Sequence, residues 1–211
     1  MPQLGHIAES EMKEILMLKE RLKMLESQDK CKESFMEYIR HIWPGFIEGS
    51  HHRIIADKLT EVAQGKCKRL IVNMPPRHTK SEFASVYFPS WIMGLKPEMK
   101  IMQTTHTADL SINFGRKVRN LMDTPEYNNI FDNVSLASDS KSAGKWQTSA
   151  GGEYFAAGVG GAIAGRGADL LIIDDPHSEQ DAMSLPLLDS CYEWYTSGPR
   201  QRLQPGGSRR S

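Results

Sequence analysis

Four consecutive apolar residues, Leu170-Leu171-Ile172-Ile173, run directly into Asp174-Asp175-Pro176. A strand without polar alternation must be covered on both faces, which is the situation of a central strand in an α/β sheet. Pro176 ends it, because proline has no N–H to continue a ladder. An acidic pair at the carboxyl end of such a strand stands where open α/β sheets form their ligand crevice. This one stretch therefore constrains both the fold class and the place to look for a site.

The neighbouring segments agree. "HRIIADKLTEVAQG" reads as a helix closed by Gly65, followed by Arg69–Asn73 as a short buried strand. A helix is predicted from Lys80 to about Met93, bent at Pro89. "KIMQTT", Lys100–Thr105, is the next strand, and Ala108 to Met122 has helical period. Trp146–Thr148 and Glu153–Ala157 form a strand pair around the turn Ala150-Gly151-Gly152. This alternation predicts an α/β fold, a parallel sheet with helices on both faces.

Ahead of it, residues 8–28 read as a helix with a narrow apolar seam of Ile15, Leu18, Leu22 and Leu25. Two heptads do not by themselves make a coiled coil, and the seam is expected to dock on the domain or on a neighbour. A second helix, Lys32 to Ile42, stops at Trp43-Pro44-Gly45. Residues 1–50 are read as a helical appendage and residues 51–211 as the main domain.

Composition narrows the function classes. Lys+Arg and Asp+Glu are both 26 in 211 residues. No whole-chain basic field for nucleic acid exists, so any such contact needs a local patch. Cys31, Cys67 and Cys191 are scattered without C-x-x-C, which fits a reducing compartment rather than a disulfide framework. The histidines have no zinc-ligand spacing. No apolar run has the length of a membrane span, and no signal-peptide pattern opens the chain. The expectation is a soluble, intracellular protein with no membrane partner.

The segment "NMPPRHTKS" follows the apolar run Leu70-Ile71-Val72 and closes on Lys80-Ser81. Phosphate-binding loops end this way, although Met74 and Thr79 stand where G-x-x-x-x-G-K-[ST] has glycine. Arg77, His78, Thr79, Lys80 and Ser81 offer consecutive backbone N–H groups for phosphate oxygens. Lys80 would neutralise phosphate charge, and the Ser81 hydroxyl would bind Mg²⁺. Asp174 is placed to hold the same metal through its water shell, and Asp175 to orient an attacking water. Arg77 can compensate charge within the chain. Arg166, in the Gly-rich run "GVGGAIAGRGAD", is expected on a flexible exposed loop from which it could reach a phosphate on an adjacent subunit.

At these residues the sequence resembles the ATPase domain of the large terminase subunit of tailed bacteriophages. "RLIVNMPPRHTKS", "GVGGAIAGRGADLLIIDDP" and "WYTSGPRQRLQPGG" carry the resemblance. "HTADLSINFGRKVRNLMDTPEYNNIF" and "KWQTSAGGEYFAAGVGG" are similar but less diagnostic. Together they span roughly residues 50–207. The resemblance implies a P-loop NTPase sheet of the ASCE type, with an extra catalytic acidic strand beside the loop. It also implies ATP and Mg²⁺ as cofactors and hydrolysis that drives double-stranded viral DNA into a procapsid. Its implied partners are the portal protein, the small terminase subunit and further copies in a ring, in the host cytoplasm. The phosphate-loop role falls on Arg77 to Ser81, the metal-binding acid on Asp174, the water-activating acid on Asp175 and the intersubunit arginine on Arg166.

Three departures accompany it. The second loop glycine is Thr79, and the water-activating residue is Asp175 where Glu is common. The chain stops at "LQPGGSRRS", before the coupling motif and nuclease domain such proteins carry, so no nuclease activity of its own is expected. Two alternatives stand beside the motor: a nucleotide-binding but inactive assembly module, and a helicase-like ATPase. His51 and His52 are read as surface or core histidines. Thr104, Thr105 and His106 are possible site lining. Trp91, Tyr192, Trp194 and Tyr195 are expected to pack, and Arg200 and Arg202 to lie in a solvated end.

Overall fold

Residues 9–163 and 165–204 are described by the structure, a computed structural model. Helices α1 (Glu9–Glu33), α2 (Phe35–Ile42) and α3 (Ser50–Ala63) come first. Ser34 breaks α1 from α2, and its hydroxyl caps α2 by accepting the Glu37 N–H, which satisfies a donor the helix start leaves open. Lys80 and Ser81 already have helical backbone. They lead through a π turn, Glu82–Tyr87, into α4 (Phe88–Leu95). The irregularity expected at Pro89 takes this form. Proline cannot donate to the carbonyl four residues back and crowds it, and the wider turn just before Pro89 accommodates both effects.

Next come β1 (Lys100–Thr105), α5 (Ala108–Met122) and α6 (Pro125–Ile130). β2 (Leu136–Lys141), β3 (Lys145–Thr148), β4 (Glu153–Gly158) and β5 (Leu170–Ile173) follow, then α7 (Leu185–Ser197) and α8 (Pro199–Arg202). The sheet order is β2-β3-β4-β1-β5. β1 pairs in parallel with β4 and β5, while β3 runs antiparallel to β4 and β2 antiparallel to β3. The fold is α/β, and the sheet is mixed rather than wholly parallel. The tight connections β2–β3 and β3–β4 dictate this, since a short hairpin can only reverse direction.

Two further expectations are corrected. Arg69–Asn73 is not a strand. Strands need a ladder, and among the described residues none reaches this segment. Among the described residues, the outer edge of β5 is met near its start, where Leu203 pairs with Ala168. Leu70 and Val72 lie partly buried on the core while Ile71 is 86% exposed, so the segment is one-sided rather than fully buried. Nor do helices cover both faces alike. Ile101, Tyr154 and Ile172 join the large core built with α2 to α6. The reverse face holds a small cluster, Met102 and Ala157 with Ile163 and Ala168 of the connection into β5.

The first fifty residues divide in two. α1 is exposed from residue 11 through residue 26. α2 is core: the Phe35 ring packs against Phe83, Phe88 and Trp91 at 5.7, 5.7 and 5.3 Å. The Tyr38 hydroxyl pairs with Ser90 Oγ at 2.7 Å. Gly94 is required by close approach, because a Cβ there would meet the Phe131 ring at 2.5 Å. Trp91 is buried, whereas Tyr192 is exposed and does not pack as expected. No helix among the described residues is long and apolar enough to cross a membrane.

If α2 is part of the domain core, Phe35→Ala should cost about 3–5 kcal/mol of unfolding free energy in urea titrations. An unchanged midpoint would show that α2 is dispensable to the fold.

Candidate functional site

β5 ends at the carboxyl edge of the parallel strands, and Asp174 and Asp175 follow immediately. The Asp174 N–H bonds to Thr104 O at 2.9 Å, extending the β1–β5 ladder by one step, and the His106 N–H bonds to Asp175 O at 3.2 Å. Both acids are thereby fixed by backbone. Their side chains diverge in environment: Asp174 is buried and Asp175 is exposed.

Lys80, at the start of the helix that enters α4, reaches both. Its Nζ lies 3.5 Å from Asp174 Oδ1 and donates to Asp175 Oδ1. Burial pulls the Lys80 ammonium down. The hydrogen bond to Asp175 and the charge of Asp174 push it up and prevail, so it is held charged above its ordinary value. Asp174 has a second partner, since Ser85 Oγ donates to Asp174 Oδ2 at 2.8 Å and accepts from Gln103 Nε2 at 3.2 Å. A buried carboxylate without such partners would be strongly destabilising.

The loop between Val72 and Lys80 is strained where it faces these acids. Among the described residues, the non-glycine residues with positive φ are Arg77 (64°), Thr79 (60°) and Asp175 (43°). All three line one cleft of about 350 Å³, with His78, Lys80, Ser81 and Glu82. Each such backbone costs on the order of 1–3 kcal/mol and persists only where its surroundings over-determine it. The N–H groups of Arg77 through Glu82 make no backbone hydrogen bond among the described residues; Phe83 N–H is the first to turn back, to Thr79 O at 3.0 Å. The cleft thus presents free donors at a helix start beside a cation.

Thr79, the residue least suited to positive φ, is held by His52. The Gly49 N–H donates to His52 Nδ1 at 2.8 Å. That makes Nδ1 the acceptor and leaves the proton on Nε2, which donates to Thr79 Oγ1 at 2.7 Å. Thr79 Oγ1 in turn donates to His78 O at 2.7 Å. The neutral imidazole is the form that fits, and burial, aided by the neighbouring His51, pushes the His52 pKa down.

The structure gathers Arg77, His78, Thr79, Lys80, Ser81 and Asp175 around one cleft, with Asp174 buried 3.5 Å from Lys80 Nζ. Arg166 is not among them. It lies by the amino-terminal edge of the sheet, where Nη1 donates to Glu153 Oε1 at 2.8 Å and the guanidinium sits 4.0 Å above the Phe155 ring. It is half-buried and paired rather than on the exposed loop expected. Thr104 and Thr105 are buried, with their hydroxyls bonded to Ile172 O and to Thr107 O, so they brace the strand end instead of lining the cleft. Three contributors were not read from sequence: Ser85, Gln103 and the tethering role of His52. A buried serine one turn beyond Ser81 and a glutamine inside the apolar strand "IMQTT" were the available signals.

No group of three or more His, Cys, Asp or Glu side chains able to hold a metal occurs among the described residues. A cation here would need ligands beyond the protein, as Mg²⁺ does when phosphate oxygens and water complete its shell around one or two carboxylates. Ser81 lines the cleft, while Asp174 is buried with Ser85 at one oxygen and Lys80 near the other. The sequence matches no protein-family model and no curated protein.

The neutral His52 contributes stability above the ordinary imidazole value of 6.5. That contribution is expected to fade as pH falls below 6.5 and to be gone below the lower folded value, because the unfolded chain then binds more protons. His52→Phe keeps the packing against Phe46 and Phe83 and removes the titration. Urea unfolding of both proteins between pH 8 and pH 5 (an interval of about ±1.5 around the imidazole value) should show the pH slope shrinking in the variant.

Proposed function

We propose that the chain binds a nucleoside triphosphate in the Arg77–Ser81 cleft and hydrolyses it, as an ATPase domain of the P-loop class. In its fuller form, resting on the resemblance of its motifs, the reading is the ATPase engine of a phage DNA-packaging terminase. Double-stranded DNA, the portal, the small terminase subunit and a ring of copies are partners under that form only. The observation that carries the ATPase reading is Lys80 Nζ between Asp174 and Asp175 at the carboxyl edge of β5, beside a strained loop with free N–H groups.

Each residue then has a task. The N–H groups of Arg77 to Glu82 donate to phosphate oxygens, and the helix start favours the negative charge. Lys80 and Arg77 neutralise charge on the terminal phosphates. Ser81 and Asp174 would hold Mg²⁺, which would supply further neutralisation of the phosphates. Asp175, exposed at the cleft mouth, takes a proton from the attacking water. Asp175 is hydrogen-bonded by Lys80. A phosphate that draws Lys80 away frees the carboxylate, so the base becomes available only when substrate is present.

Calorimetric titration with Mg²⁺ and a slowly hydrolysed ATP analogue tests the binding half. Lys80→Ala should weaken it tenfold or more, about 1.4 kcal/mol. Asp175→Asn should leave binding intact or tighter, because Lys80 loses its competitor, while ATP turnover falls by about 10² or more. A folded native chain that binds no nucleotide would sink the proposal. Binding without turnover would instead favour the assembly-module reading.

A further inference from the structure

α1 leaves its apolar seam uncovered: Ile15, Leu18, Leu22 and Leu25 are 37%, 60%, 58% and 45% exposed. The body does not use this side. It holds α1 through Cys31, whose carbonyl accepts from Trp91 Nε1 at 2.7 Å, and through Gln28, whose amide donates to Asn129 O. At ~100° per residue, Cys31 lies about 160° around the helix from the mean direction of the seam. Among the described residues the seam therefore does not dock on its own domain.

We propose that this seam pairs, parallel and in register, with α1 of a second copy of the chain. With Ile15 and Leu22 as a positions and Leu18 and Leu25 as d positions, Glu11 and Asp29 bound the stripe at the next d and a. β-branched or leucine a residues over leucine d residues suit a two-stranded parallel arrangement. The flanking charges decide orientation. Glu14 and Arg21 fall at g, Lys19 and Glu26 at e. Parallel pairing sets Glu14 against the partner's Lys19 and Arg21 against the partner's Glu26, so every such pair attracts. Antiparallel pairing would oppose Arg21 to its own copy and Lys19 to its own copy, both repulsive. The chain is complementary to itself in one orientation only. Because the body sits on the far side of α1, two copies can approach along the seam without their domains meeting first.

Sedimentation equilibrium of the full chain over a wide concentration range tests this. A monomer–dimer equilibrium is expected, and Lys19→Glu with Arg21→Glu should weaken it by about tenfold or more. Adding Glu14→Lys and Glu26→Lys reverses all four charges and should restore it. Leu22→Cys in a Cys67→Ser background should close an intermolecular disulfide under mild oxidation, since parallel register brings each position against its own copy. These residues lie outside the core, so unchanged unfolding midpoints of diluted variants show that folding is not at issue. A chain that stays monomeric throughout, as it would if the seam served a different protein, overturns the proposal. So does a dimer indifferent to the charge pattern.

Discussion

The helix that begins at Lys80 is buried on every side from Phe88 to Gly94, and the rest of the molecule is arranged around that constraint. Phe83, Val86, Phe88, Trp91, Ile92 and Met93 are all core, each contributing about 1.5–3 kcal/mol by leaving water. Such a helix cannot rotate or slide without exposing an aromatic ring. Its two buried serines mark its double duty. Ser90 bonds Tyr38 on the α2 side, and Ser85 bonds Asp174 at the sheet edge. The position of Lys80 is therefore inherited from core packing rather than from the loop that precedes it.

This explains how the loop tolerates its own geometry. One hydrogen bond contributes about 1 kcal/mol net, less than the upper cost of a β-branched residue at positive φ. The His52–Thr79 contact is not sufficient alone. The loop is also held downstream by the helix and by the Lys80–Asp175 pair, and upstream by Leu70, Val72 and Met74 against the core. Asp174 tolerates burial for a related reason: a hydroxyl and an ammonium reach it from two directions.

The parts of this arrangement visible in sequence were those with local causes. β5 is a four-residue apolar run, α5 has an unbroken helical period capped by Thr107, and the acids follow directly on a strand. What stayed hidden depends on partners distant along the chain. Arg69–Asn73 has the composition of a strand, yet strand formation needs a neighbour, and composition does not record one. β2, with Asp139, Ser140 and Lys141, lacks an apolar pattern and exists because β3 offers it a ladder. Arg166 keeps its loop between exposed Gly165 and Gly167, but its partners Glu153 and the Phe155 ring lie across the sheet, where a Gly-rich run gives no sign of them. Ser85 and Gln103 have ordinary local contexts, and only the folded chain brings them to Asp174.

The imidazole of His52 bonds to the backbone ahead of α3 and to the loop ahead of Lys80. On one side it holds the backbone just ahead of α3, where Glu48 is clamped by Arg40 of α2 and by Arg53 of α3, its carboxyl drawn down to about 2. On the other it holds Thr79. A displacement of the α2–α3 layer therefore reaches the cleft through this ring as well as through the packing of Phe35 and Phe46 on Phe83. With α1 only one residue from α2, the projecting helix, the Glu48 clamp and the Thr79 backbone are consecutive neighbours, so a load on the outermost helix is felt close to the cleft.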